Sequence, residues 1–241
     1  MPTASAPAAS ADGSAAPAAH PPPAATTTGA TSPAAPAGPS AQTAAIRFCG
    51  NDVATSERRI ECHEPGAVDL TPLRAMTSVK RLDLARTQVS DLRPIASLAT
   101  LEDLVLASTR ITDIAPLAGL ERLTWLVLDG TGIEDVSALR GLSRLRSLSL
   151  AGTRVSDVGP ISSLRSLETL RLDDTRVIDL RPLSSLSSLR ELGLAGTGVR
   201  DLSPLFGLTA LREVDVTAAL ATSVEIARLR KALPQATVHS R

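Results

Sequence analysis

Leucines separated by one residue recur along this chain at a fixed step. Leu82/Leu84, Leu104/Leu106, Leu126/Leu128, Leu148/Leu150, Leu170/Leu172 and Leu192/Leu194 follow one another every 22 residues. Val214/Val216 continues the series and Ile60/Cys62 precedes it, without one insertion or deletion. Apolar-x-apolar is strand periodicity, in which alternate side chains point to opposite faces. The pattern predicts one short strand per unit, with the paired apolar residues inward. Polar columns keep the same step. Thr recurs at Thr87, Thr109, Thr131, Thr153, Thr175 and Thr197, and Asp recurs at Asp69, Asp91, Asp113, Asp135, Asp157, Asp179 and Asp201. Pro recurs at Pro72, Pro94, Pro116, Pro160, Pro182 and Pro204, with Ala138 as the exception. The unit reads L-x-x-L-x-L-x-x-T-x-V/I-x-D-L/V/I-x-P-L/I-x-x-L-x-x.

Self-similarity at a fixed period of this length is the signature of a solenoid. A 22-residue return is too short for a full strand–helix–strand crossover. It leaves room for a turn and one short helical or extended segment. Pro94 suits the first turn of such a segment, and Asp91 suits its cap. No single unit can close a core, so stacking must bury Leu, Val and Ile in one continuous column. Adjacent strands lie ~4.8 Å apart, so eight coils build a curved parallel sheet on the order of 35 Å long.

These motifs resemble the leucine-rich repeat family. The short 22-residue class is similar to bacterial internalin repeats and to the repeats of a regulatory subunit of protein phosphatase 1. The resemblance covers about residues 58–218. It implies an α/β solenoid: a leucine-rich-repeat horseshoe with a curved parallel sheet on the concave face and short 3-10 or extended segments on the convex face. It also implies protein–protein recognition through the concave sheet. The chain departs from the family in carrying Thr where Asn is frequent. A hydroxyl cannot make an amide's two donor bonds, so a Thr ladder, each hydroxyl donating to a neighbouring coil's carbonyl, is expected in place of an Asn ladder.

A solenoid needs covered ends. After Val216 the repeat stops, and Thr222 with Glu225 forms a capping-box pair. Ile226, Leu229 and Leu233 share one helical face, and Pro234 ends it. This predicts a capping helix over 222–233 and a short final strand near Thr237 and Val238. At the other end Cys49 and Cys62 flank the first coil. They read either as a disulfide across the cap, which favours an oxidising compartment, or as two buried thiols. Cys49, Cys62 and His63 lack a fourth ligand for a metal, so none is expected.

The composition changes abruptly near residue 45. Residues 1–45 hold 18 Ala, 9 Pro, 11 Ser or Thr and 3 Gly, with no Leu, Ile, Val or aromatic residue. Nothing there offsets the entropy of ordering the chain. The segment reads as a disordered tether, stiffened locally by Pro21, Pro22 and Pro23. The domain plan is then a tether over 1–45 and a repeat domain over 46–241. Within the domain, 46–59 is the N-terminal cap, 60–217 holds about eight coils and 218–241 is the C-terminal cap. The start has neither a basic nor an apolar leader. Met1 as the true start implies a cytoplasmic protein; an export signal upstream implies the cell envelope or secretion.

Lys plus Arg and Asp plus Glu both number 25, so the formal net charge is zero. That speaks against a nucleic-acid binder, which usually shows a basic excess. No apolar run approaches the ~20 residues of a membrane span. The three histidines, His20, His63 and His239, all lie outside the regular repeats. None can serve there as a base for a serine nucleophile, and the chain has no Tyr. No phosphate loop or HExxH motif is present. The Gly130-Thr131-Gly132 and Gly196-Thr197-Gly198 triplets read as turns after strands. The Asp column admits calcium binding, but capping of each turn by backbone N–H groups explains why every Asp precedes an apolar residue. A non-catalytic, cofactor-free and monomeric module is expected.

Strand alternation places three rows on the concave surface. Arg59, Arg81, Asp103, Trp125, Ser147, Thr169, Glu191 and Glu213 form the first. Glu61, Asp83, Val105, Val127, Ser149, Arg171, Gly193 and Asp215 form the second. His63, Ala85, Ala107, Asp129, Ala151, Asp173, Ala195 and Thr217 form the third. Three Arg against eight carboxylates leave a balance of −5 on this face. Trp125 sits between Val105 and Val127, with Asp83, Asp103 and Asp129 around it and Arg171 and Asp173 further along. An apolar centre with a charged rim is the usual composition of an interface hot spot. These eight residues are the candidate binding site, for a protein partner of basic or mixed charge. Two rival roles stand beside it: a structural or adhesive envelope protein with the tail as stalk, and a regulatory subunit of a cytosolic enzyme.

Overall fold

The computed structural model describes residues 44–64, 66 and 68–240. The expected tether over 1–45 falls almost wholly outside the described residues; Ala45 already belongs to the first strand. A hairpin of β1 (Ala45–Phe48) and β2 (Asn51–Ala54) precedes the repeats. Eight three-residue strands then follow: β3 (Arg59–Glu61), β4 (Arg81–Asp83), β5 (Asp103–Val105), β6 (Trp125–Val127), β7 (Ser147–Ser149), β8 (Thr169–Arg171), β9 (Glu191–Gly193) and β10 (Glu213–Asp215). Helix α1 (Ser223–Ala232) and β11 (Thr237–His239) close the chain. Strands β3 to β11 form one parallel sheet in sequence order. From β3 to β10 each strand pairs with the next at a shift of one repeat, as in Leu126↔Leu148↔Leu170, and β11 joins β10 with Val214 opposite Val238.

The convex side carries short 3-10 turns, one per coil, such as Arg93–Ile95 and Arg181–Ser185. Proline stands at their first positions, where its missing N–H costs nothing. Every Asp of the column accepts a hydrogen bond at Oδ1 from the N–H two residues on, at 2.7–2.9 Å. This Asx turn lets the chain leave the sheet and enter the 3-10 turn without orphaned donors. The carboxylates are therefore occupied by their own turns.

The leucine column is fully buried, Leu126, Leu148 and Leu170 included. Aliphatic side chains repeated at one step pack like on like, which explains how the repeats build a core with Phe48 as its one buried aromatic among the described residues. The Thr column is buried too, but its bonds correct the ladder expectation. Each Thr hydroxyl donates to the carbonyl three residues back in its own coil, at 2.6–2.7 Å; Thr153 to Leu150 is one case. A Thr side chain is short, and the nearest acceptor is the carbonyl its own turn presents. The coils are joined there by backbone instead, with Leu150 N–H donating to the Arg171 carbonyl at 2.9 Å.

One column was hidden by its varied residues. Arg86, Ser108, Gly130, Gly152, Asp174, Gly196 and Ala218 all have φ between 54° and 66°. This left-handed corner turns the chain off the strand. Glycine adopts it freely, whereas the others carry a conformational cost.

The ends are covered differently. Cys49 and Cys62 form a disulfide with Cα atoms 5.9 Å apart, tying the hairpin to the first coil. At the C-terminus Thr222 Oγ1 accepts from the Glu225 N–H at 3.3 Å. The Glu225 carboxylate does not complete the capping box; it turns to Arg228 at 2.7 Å. Leu229 and Leu233 bury against the last coil, and Ile226 is half-buried. Arg230 donates to the Val238 carbonyl at 2.9 Å and so blocks part of the open edge of β11.

Candidate functional site

Because each strand buries its central residue, the residues on either side face the concave surface. Trp125 opens β6 with Asp103 on one flank and Ser147 on the other. It is half-buried, as is Val105. Val127 is only 6% exposed, so it offers a partner little surface. The apolar centre is therefore Trp125 and Val105.

The acidic residues are less free than their number suggests. Asp83 Oδ1 accepts from the Ala85 N–H at 3.1 Å and lies 3.4 Å from His63 Nε2. Asp129 accepts from Ala151 N–H at 3.0 Å, and Asp173 from Ala195 N–H at 2.9 Å, each one coil onward. Asp215 accepts from Thr217 N–H at 2.8 Å. Four of the eight carboxylates thus secure backbone donors at the strand ends. Arg171 Nε binds Asp173 Oδ2 at 3.0 Å, which neutralises that residue locally. Asp103 lies 3.9 Å from Arg81, and Glu213 lies 3.3 Å from His239. The formal excess remains, but it is pinned in place. Electrostatic recognition by such a face costs little side-chain entropy.

Burial pushes the Asp129 carboxyl up from its usual range. The Ser149 hydroxyl, the Ala151 N–H and the Arg171 charge oppose that shift, and the Asp173 charge adds to it. Ser149 Oγ is itself buried and meets no partner at good hydrogen-bond geometry, though it lies close enough to Asp129 to act on it. Gly193 leaves room for the Asp173 carboxylate beside this group. A Cβ there would come within 2.6 Å of Asp173 Oδ2.

Sequence reasoning placed all eight candidates on one face but missed the second duty of Asp83, Asp129, Asp173 and Asp215. Asp129 and Asp173 left a signal: each is followed 22 residues later by Ala, at Ala151 and Ala195. A small neighbour leaves room for the carboxylate to reach across. Among the described residues no group of three or more His, Cys, Asp or Glu is arranged to hold a metal ion. No helix among them is long and apolar enough to cross a membrane.

Comparison with known proteins fits this geometry. A family described as leucine-rich repeats in two copies matches residues 143–186. Internalin C2 from Listeria monocytogenes superimposes with a TM-score of 0.74 at 26% identity, over 80% of this chain and 86% of its own. The chain has a leucine-rich-repeat fold, and its repeats resemble those of internalins. A leucine-rich repeat protein of Leptospira interrogans gives a TM-score of 0.70 at 20% identity, covering 76% of this chain and 49% of its own. A second Listeria internalin gives 0.52 at 20% identity, over 80% and 71% of the two chains. The last two are similar in fold alone. No curated protein matches the chain in sequence. The leucine-rich repeat fold is that of a protein–protein interaction module.

Proposed function

We propose that this leucine-rich repeat protein is a non-catalytic recognition module that binds a protein partner on its concave sheet. The observation that carries the reading is Trp125: a half-buried indole near the middle of the parallel sheet, among small and charged residues. Aromatic anchors of this kind dominate interface energies. Val105 extends the apolar centre, and Asp83, Asp103 and Asp129 rim it. Arg171 and Asp173 form a paired polar patch two coils on. The carboxylate excess selects a partner of basic or mixed charge.

The Cys49–Cys62 disulfide supports a second reading of the setting. Such bonds persist in oxidising compartments, which favours the cell envelope or secretion over a cytosolic regulatory subunit.

The test is affinity capture with the repeat domain, followed by titration of the captured partner. Trp125→Ala is expected to weaken binding by at least ~2 kcal/mol, roughly thirtyfold. Its unfolding free energy should change by less than ~1 kcal/mol, as for surface substitutions. Normal binding by the variant would move the site off this face.

A further inference from the structure

A groove of about 440 Å³ lies outside the concave face, on the edge where the strands begin. Ser166, Ser187, Ser188 and Ala210 form part of its lining, with Arg146, Glu168 and Arg190. Arg146 Nη1 lies 3.3 Å from Glu168 Oε1, and Arg190 Nε lies 3.6 Å from Glu168 Oε2. Two guanidinium groups share one carboxylate, so one positive charge stays unmatched. Both Arg side chains are about two-thirds exposed, at 70% and 66%, and each has five N–H donors. Arg212 adds to the edge; its Nη1 is held by the Thr209 and Leu211 carbonyls, on either side of Ala210.

The serines of the groove differ from those of the convex turns. Ser162, Ser163, Ser184 and Ser185 all donate to backbone carbonyls. Ser166, Ser187 and Ser188 have no such partner among the described residues. Serine hydroxyls and two guanidinium groups that share the single Glu168 carboxylate therefore line one concavity. The protein has no net charge, and the adjoining concave face is acidic. That combination disfavours a long polyanion and favours a compact one.

We propose that this groove is a second binding site, for a tetrahedral oxyanion of the phosphoryl or sulfo type. Glu168 takes one nitrogen of each arginine, Arg146 Nη1 and Arg190 Nε, and leaves the rest of each planar fork for a second acceptor. The serine hydroxyls supply donors for the further oxygens that a tetrahedral group offers and a carboxylate lacks. Glu168 has a double role: it positions Arg146 and Arg190, and its charge opposes the incoming anion. The site is independent of recognition by the concave sheet.

The experiment is calorimetric titration of the full chain at low ionic strength, where charge contacts are least screened. The probes are inorganic phosphate, inorganic sulfate, a neutral peptide carrying one phosphoserine, a sulfated disaccharide, and acetate as control. Saturable binding of a tetrahedral anion, tighter than acetate, is expected. Arg190→Ala should weaken it about tenfold, the loss of a charge-assisted contact. Glu168→Gln should tighten it several-fold, because a repelling charge is removed while an acceptor for the arginines remains. Arg154→Ala, on the opposite edge, should leave it unchanged. Tighter binding of the phosphopeptide would assign the group to a protein, tighter binding of the disaccharide to a glycan, and parity with inorganic anions to the free ion. Absence of saturable binding by every tetrahedral probe, equal binding of acetate, or indifference to both Arg190→Ala and Glu168→Gln overturns the proposal.

Discussion

Whether the Thr column holds the coils together can be decided by a double-mutant cycle on Thr131 and Thr153. The two are one repeat apart and buried, at 4% and 3% exposure. Thr131 Oγ1 donates to the Leu128 carbonyl at 2.6 Å, and Thr153 Oγ1 to the Leu150 carbonyl at 2.7 Å. Each of these carbonyls also accepts the Thr N–H, at 3.3 and 3.2 Å. Thr→Val keeps the side-chain shape and removes the hydroxyl. The carbonyl is not left unpaired, so the loss is the net value of one hydrogen bond, about 0.5–1.5 kcal/mol. The added methyl returns up to ~0.8 kcal/mol by burial. Each single variant should therefore lose less than ~1 kcal/mol. Because each bond closes within its own coil, the two losses should add to within about 0.5 kcal/mol. Urea unfolding of wild type, both singles and the double gives the coupling directly from midpoints at constant slope. A coupling above ~1 kcal/mol would show that the hydroxyls bridge coils, and the local assignment would fail.

Leu148→Ala should cost much more. Leu148 is fully buried with Leu126 and Leu170 on either side, and paired strands limit collapse of the cavity, so about 3–4 kcal/mol is expected within the range for such truncations; a loss under 1 kcal/mol in urea unfolding would refute the continuous column. The Asp caps should set the acid limit. Hydrogen bonds from the Arg93 guanidinium and then its N–H hold the Asp91 carboxyl down at about 2, and Asp69, Asp135, Asp179 and Asp201 are also held low, by hydrogen bonds from Thr71, Ser137, Arg181 and Ser203. Groups with a lowered folded pKa stabilise above the unfolded value, about 4, and lose that contribution as pH falls toward 2; urea midpoints should drop across that window, and Asp91→Asn should flatten the drop. Asp129 runs the other way: its raised pKa means the charged form is disfavoured by folding, so Asp129→Asn, which keeps an acceptor for Ala151 N–H, should be neutral or stabilising at neutral pH, read as an unchanged or higher thermal midpoint. Deleting 218–241 removes α1 and β11 and exposes Val214, Val216 and the edge of β10, so self-association is expected by light scattering; a monomeric truncation would show that the last coil needs no cap.

Much of the fold was legible because its causes are local and repeated. A 22-residue step written in Leu, Thr, Asp and Pro determines strand, turn and return in every coil, and stacking follows because no unit can bury its leucines alone. The concave rows followed from strand alternation. What the sequence could not show was how polar side chains choose among several reachable partners. Thr153 had carbonyls of two coils in prospect, and the turn geometry settled on its own. Asp129 and Asp173 look like free surface charge in one dimension. Only the 22-residue neighbour brought alongside by the sheet reveals that they hold backbone donors and lie partly buried. Val127 reads as a surface residue by alternation, yet folding leaves it 6% exposed. The left-handed column is hidden because Arg86, Ser108 and Asp174 stand where glycine would announce it, and the stacked coils impose that φ regardless of residue. The groove beside Glu168 exists only because residues from several coils are stacked side by side. Periodicity determines the backbone path; which donor meets which acceptor depends on distances that only the closed solenoid sets.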